Sequence, residues 1–307
     1  MPQFITRRTL LAGTVTVLAT GAATLGYARY VEPSMRLVVT TYRPQARWPD
    51  DFPLTIAALA DFHVGEPVMG LARIEEIVAR TNALRPDLIV LLGDYTPSMR
   101  SITRHVPLPE AARALAGLKA PLGVWSILGN HDWWNDADVQ RQRRGPPPVH
   151  RVLEAAGIPV LENKAQRLNK GGRAFWLAGL GDSWAYILPG FRNFRGVDDL
   201  PGTLAQLDAH TPAILLAHEP DVFVRVPDRI ALTLSGHTHG GQVRIAGWSP
   251  VVPSEFGNRF AYGHVVEDGR HLIVSGGLGC SGKPLRIGVP PEIVLVELGS
   301  RPGTGPG

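Results

Sequence analysis

Leu54-Thr-Ile-Ala-Ala-Leu-Ala60 is a short run without polar alternation, the pattern of a strand buried on both faces. Similar runs return at 87–92, 123–128, 213–217 and 231–235. Between the first two, Leu71, Ile74, Ile77 and Val78 recur at helical spacing, and Pro86 closes that helix. Further helices are predicted around 110–118 and over 149–156, the second ended by Gly157. The later chain adds strands at 174–180, 271–275 and 292–298, and Asp268-Gly269 between β-branched stretches signals a hairpin. Alternating β and α units followed by strand-rich sequence predict an α/β protein of two packed mixed sheets flanked by helices. Segments 96–109, 133–148 and 183–202 lack periodicity. They follow the strands and are expected to shape access to whatever lies at the strand ends.

The first residues follow a different rule. Arg7-Arg8 precedes residues 9–28, which carry no charge and no polar face. Paired arginines before a moderately apolar segment predict a twin-arginine-type export signal or a membrane anchor over 1–28. The arginines orient such a segment with its N-terminus in the cytoplasm. The expected partners are the export machinery and a membrane, and the expected location is the periplasm or the outer face of the cytoplasmic membrane. A lead-in over 29–53 with one strand-like stretch, 36–42, comes next, then the main domain over 54–299. A low-complexity tail, 300–307, is expected to be disordered.

Composition narrows the choice little further. The chain has 307 residues, 44% of them hydrophobic, enough for a sizeable core. Its net charge of +4 comes from scattered arginines rather than a basic stripe, so no specific nucleic-acid partner is expected. Cys280 is the only cysteine, which excludes an intramolecular disulfide and cannot by itself build a thiolate metal site.

The chemistry lies where the apolar runs end. Asp61-Phe-His63, Gly93-Asp94, Gly129-Asn130-His131-Asp132, His218 and Gly236-His237-Thr-His239 each follow such a run. They contain five of the ten histidines. Asp61 and His63, two apart in extended chain, can point the same way, and His237 and His239 can do so from a glycine-flanked loop. Asn130 offers a neutral oxygen. His131 can reach a substrate, with Asp132 placed to fix its tautomer and raise its basicity. Singly, each motif has an ordinary structural reading: a cap, an Asn-rich turn, a satisfied histidine. Five such motifs at successive strand ends, where α/β sheets collect ligands, are a single site. Oxygen and nitrogen donors of this mix suit divalent cations such as Mn, Fe or Zn.

These motifs, in this order, resemble the calcineurin-like metallophosphoesterase superfamily over about 54–298. The resemblance implies a four-layer α/β/β/α sandwich of two mixed sheets and a centre of two divalent metal ions. By motif position, Asp61, His63 and His239 would hold one ion, and Asn130, His218 and His237 the other, with Asp94 bridging. His131 matches the residue that contacts phosphate and assists the leaving group. The implied reaction is hydrolysis of a phosphate-ester substrate by in-line attack of a metal-bridging hydroxide. The arginine pair, His218-Glu-Pro-Asp221 and the ending Gly276-Gly-Leu-Gly-Cys280 through Pro284-Leu-Arg286 to Pro290-Pro-Glu292 resemble the YkuE/YaeI-type branch of exported phosphodiesterases. A cell-envelope or lipid-linked ester is the expected substrate. Competing readings are a dimetal hydrolase of another bond and a non-catalytic envelope-binding protein that keeps the fold; against the second, no ligand motif is missing.

Other residues are more ambiguous. Lys283 and Arg286 could touch phosphate, but a surface charge is the commoner role. His264 and His271 flank the hairpin and read as structural or exposed. Trp133, Trp134 and Trp184 could line a groove or fill a core.

Overall fold

The computed structural model describes residues 7–99 and 101–299. The tail expected at 300–307, and residues 1–6 of the expected export segment, lie outside them. Among the described residues no helix is long and apolar enough to cross a membrane.

Two mixed sheets stand face to face. The first contains β1 (Val38–Tyr42), β2 (Leu54–Leu59), β3 (Leu88–Leu91), β4 (Val124–Ser126) and β13 (Glu292–Leu298). Their order is β1-β13-β2-β3-β4, with β13 antiparallel to β2 and the other neighbours parallel. The second sheet contains β5 (Lys164–Lys170), β6 (Arg173–Gly179), β9 (Ala213–Leu216), β10 (Ile230–Ser235), β11 (Gly263–Glu267) and β12 (Arg270–Val274). It is ordered β11-β12-β10-β9-β6-β5, parallel in its centre and antiparallel at both edges. A separate hairpin joins β7 (Tyr186–Ile187) to β8 (Phe194–Arg195).

Side-chain alternation explains why the strands read as continuous apolar runs. In β2, Leu54, Ile56 and Ala58 point between the sheets, where they meet Phe175, Leu216 and Leu232. Ala57 and Leu59 point outward onto Ile74, Ile77 and Leu115 of the helices Leu71–Ala83 and Leu108–Leu115. The second sheet divides the same way: Ile214 and Leu216 face inward, while Leu215 packs outward with Phe223 and Phe260. The central strands of each sheet are therefore dry on both faces, at about 1.5–3 kcal/mol for each large aliphatic side chain buried. The outcome is the four-layer α/β/β/α sandwich. Its outer layer on the second sheet is thin, made of the helix Leu200–Leu204 and the 3₁₀ turns Pro220–Arg225 and Gly257–Phe260.

Two placements differ from the sequence reading. The lead-in is part of the sheet, since β1 pairs in parallel along β13 from Val38–Glu292 to Tyr42–Val296. Strand β5 has no counterpart in the expected elements. The unperiodic segments also carry structure: the helix Ala137–Gln142 in one, and the β7–β8 hairpin in another.

Candidate metal centre

Chain leaving β2 and chain leaving β3 stay paired beyond the strands. Asp61 N donates to Gly93 O at 3.1 Å, and His63 N to Asp94 O at 2.9 Å. This brings the first two motifs side by side. After β4 the chain turns at Gly129 into the short helix Asn130–Trp134, setting the third motif against them. His218 follows β9, and His237 and His239 follow β10, so the second sheet supplies the opposing wall. All seven ligand candidates and His131 converge on one cleft.

The cleft falls into two halves around Asp94. On one side, His63 Nε2 lies 3.0 Å from His239 Nε2 and 3.4 Å from Asp94 Oδ2, and His239 Nε2 is 3.7 Å from Asp61 Oδ1. On the other, His218 Nε2 lies 3.3 Å from Asp94 Oδ2 and 3.2 Å from Asn130 Oδ1, which is 2.9 Å from His237 Nδ1. Each aspartate gives one oxygen to the backbone: Asp61 Oδ1 accepts from His237 N and Asp94 Oδ1 from His131 N, both at 2.9 Å. Asp61 Oδ2 is buried with no hydrogen-bond partner.

The surroundings prepare these atoms to give lone pairs. His63 Nδ1 bonds Thr96 O at 3.0 Å and His218 Nδ1 bonds Leu92 O at 2.7 Å, so the hydrogen-bond pattern assigns the proton to Nδ1 and leaves Nε2 toward the cleft. Burial pushes His63 down to about 4, against the opposing charge of Asp94. Burial likewise holds His237 and His239 well below the ordinary histidine range. Asp61 is pushed up to about 7, first by burial, with His218 opposing. Burial also works against ionisation of Asp94, but His218 and His63 outweigh it and hold this carboxyl well below its usual range. Burial would lower His218, yet Asp94 raises it well above the ordinary value. A cation held at His218 Nε2 would take that lone pair in place of a proton.

Space and backbone are specialised too. A Cβ on Gly129 would lie 2.4 Å from Asp94 Oδ1 and 2.5 Å from His218 Cε1. Gly236 and Gly277 similarly leave room for Asp61, where a Cβ would come within 2.8 Å of its Oδ2. Five of the seven ligand candidates have left-handed backbone: Asp61, His63, Asp94, His237 and His239. Non-glycine residues adopt it rarely and at a cost of about 1–3 kcal/mol each, and they concentrate at functional sites. The buried unpartnered carboxylate oxygen, the tautomers and the donor set fit divalent metal ions.

Some expectations need correction. Asp132 does not partner the His131 ring. Its carboxylate accepts four backbone N–H groups, from Asp94, Tyr95, Thr96 and Gly129, at 2.9–3.0 Å. It ties the loop after β3 to the loop after β4, and so positions His131 through the main chain. Arg286 is not a surface charge. It is fully buried, bonding the carbonyls of Gly276, Gly279 and Val289, with Nη2 3.2 Å from His239 Nδ1. The tryptophans divide: Trp133 is buried against Tyr186, whereas Trp134 and Trp184 line a 470 Å³ cavity over the cleft. There they sandwich Phe194, with ring centroids 5.1 and 4.6 Å away, and His131 meets Trp134 edge-on at 5.0 Å.

Sequence reasoning assigned no role to Asp182 and Glu219. Both are buried, and Glu219 Oε1 lies 4.0 Å from His237 Nδ1, close enough to His218 and His237 to join them as a metal donor. Ser183 N and Oγ donate to Glu219 Oε2 at 3.1 and 2.9 Å, and Trp184 N donates to Asp182 Oδ1 at 2.9 Å. Burial, then the charge of Glu219, pushes Asp182 well above the usual carboxyl range. The signal was present, since Gly181-Asp182 ends an apolar strand as Gly93-Asp94 does, and Glu219 adjoins His218.

A sandwich with a divalent-cation cleft at its strand ends, under an open cavity, defines the class of metal-dependent phosphoesterases. The chain belongs to the calcineurin-like phosphoesterase family, whose model matches residues 54–241. It is 31% identical to the metallophosphoesterase YkuE of Bacillus subtilis (strain 168), over 96% of this chain and 98% of that one. To phosphodiesterase YaeI of Escherichia coli (strain K12) it is 30% identical, over 96% and 99%. A transmembrane protein with a metallophosphoesterase domain from Danio rerio is 31% identical over 95% of this chain and 63% of its own length.

Proposed function

We propose that this protein is a phosphodiesterase with two divalent ions, acting on a cell-envelope or lipid-linked phosphate ester. One observation carries the reading: Asp94 Oδ2 lies between the two ligand groups, 3.4 Å from His63 Nε2 and 3.3 Å from His218 Nε2. A carboxylate so placed would be shared by both groups. Asp61, His63 and His239 would hold one ion, and Asn130, His218 and His237 the other.

The ions supply Lewis acidity toward phosphoryl oxygens and an activated water for in-line displacement. The protein's own groups do the rest. The left-handed ligand positions fix the donors before substrate arrives. His131, lining the cavity above Asp94, donates a hydrogen bond to the phosphate and a proton to the departing alkoxide, a contribution of about 10²–10⁴-fold. Trp134, Phe194 and Trp184 form an apolar wall for the esterified group. The name of YaeI supports diester over monoester chemistry. Arg7-Arg8 and the uncharged run behind them support export to the outer side of the cytoplasmic membrane.

The test is metal analysis of protein from its native compartment, followed by hydrolysis of aryl phosphodiesters, aryl phosphomonoesters and an aryl amide. Two ions per chain and diesterase activity are expected. Full activity in His131→Ala or Asn130→Ala would remove the assignment.

A further inference from the structure

The exposed residues around the cavity mouth share one composition. The turn between β7 and β8 carries Phe191, 93% exposed, with Arg192 beside it at the rim. Across the opening, the loop 242–253 exposes Ile245 at 66%, Trp248 at 59% and Val251 at 70%. This loop is bonded to the segment 281–288: Ile287 N donates to Gln242 O at 2.8 Å and Arg244 N to Ile287 O at 2.9 Å. Ser281 and Gly282 of that segment complete the rim. This segment and Val289 just after it anchor the turns that follow the N-terminal helix, because Arg286 N donates to Ala28 O and Val289 N to the buried Glu32 Oε1, both at 2.9 Å. From this anchor the helix Arg7–Gly26 leads away with residues 16–25 exposed, Val17, Leu18 and Leu25 among them.

Charge points to the occupant. Segments 9–31, 186–195, 242–253 and 281–288 contain no aspartate or glutamate. They carry Arg29, Arg192, Arg195, Arg244 and Lys283, besides the buried Arg286. Apolar tips with basic neighbours and no acidic ones suit the headgroup layer of an anionic bilayer. A second copy is a poorer partner, since a two-fold contact sets the same basic patch against itself.

We propose that this ring is a lipid-docking surface that seats the cavity mouth on an anionic membrane. Phosphodiesters in the headgroup layer then reach the metal centre without leaving the membrane. Docking stands on the ring alone; the nature of the substrate rests on the phosphodiesterase reading above.

The test uses the full-length protein in flotation with phosphatidylcholine vesicles, with and without roughly a third phosphatidylglycerol. The wild type is expected to float with the anionic vesicles. A triple variant, Phe191→Ser, Ile245→Ser and Trp248→Ser, should bind at least about tenfold more weakly, given what three such side chains gain by leaving water. Its hydrolysis of a soluble aryl diester should match the wild type, which reports an intact fold. Brominated lipid should quench a part of the tryptophan emission that Trp248→Phe lacks. Three results would overturn docking: wild type that leaves anionic vesicles unbound, a triple variant that binds as tightly, or a dimer that shields Trp248 in place of lipid. Vesicle binding without soluble diesterase activity would support the ring and sink the catalytic reading.

Discussion

Gly129 shows how much of the centre depends on what is missing from a side chain. Its φ of −116° is open to any residue, so substitution tests space rather than backbone strain. In Gly129→Ala the new methyl meets Asp94 and His218, the proposed bridge and a proposed ligand. The expected outcome is a folded protein whose bound metal falls well below wild type, checked by elemental analysis beside circular dichroism. Asp132 makes the complementary case. Asp132→Ala leaves four N–H groups without their acceptor, and the variant should lose about 3 kcal/mol or more in denaturant unfolding. A loss confined to activity, with unchanged stability, would restore the tautomer-fixing role in place of the backbone knot.

At the scale of elements, the β11–β12 hairpin carries a pH-sensitive contact outside the metal centre. His264 Nε2 and His271 Nδ1 are 2.9 Å apart in stacked rings. Burial lowers both below the ordinary histidine value, and each ring's charge would oppose the other's, as His271 does for His264. Folded values below the unfolded value mean that the unfolded chain binds more protons as pH falls. The pair's stability is therefore complete above about pH 6.5, the unfolded value, and is lost as pH falls from there through the lower folded values. Between pH 8 and pH 5 the wild-type melting temperature should fall further than that of His264→Gln, while the metal ligands contribute equally to both. Equal falls would sink the idea. The same scale shows what the sequence could reveal. Strands β2, β3, β9 and β10 were legible because both faces are buried, and the ligand motifs because each follows one of these strands or β4. Lys164–Lys170 was not, because in this edge strand only Leu168 is buried, which leaves no alternation to read. Arg286 misled because an isolated arginine in a loop carries no mark of the carbonyls it will gather. Asp132 misled because its partners are backbone N–H groups from another loop, invisible to a reading of side-chain types.

For the whole molecule, ligands from both sheets meet in one cleft, so occupancy by metal should bind the two halves together. With free metal at about 100 times its dissociation constant, the folded state gains about 2.7 kcal/mol. Chelation should lower the melting temperature by about 4 °C in a chain of this size. No change on chelation, with metal removal verified, would mean that the cleft does not hold the ions. The pairing of β1 with β13 has a further consequence, in the timing of synthesis. Val38 lies beside Glu292, and β13 inserts between β1 and β2. At about 5–20 residues per second, β13 leaves the ribosome roughly 13–50 s after the strands it separates. Until then β2, which delivers Asp61, lacks one neighbour, and the Gly276–Gly279 stretch that packs on Asp61 does not yet exist. A nascent chain thus offers no finished cradle for an ion, and metal loading becomes a post-translational event. Ribosome-bound chains stalled before residue 292 should retain no tightly bound metal, whereas released chains should acquire it.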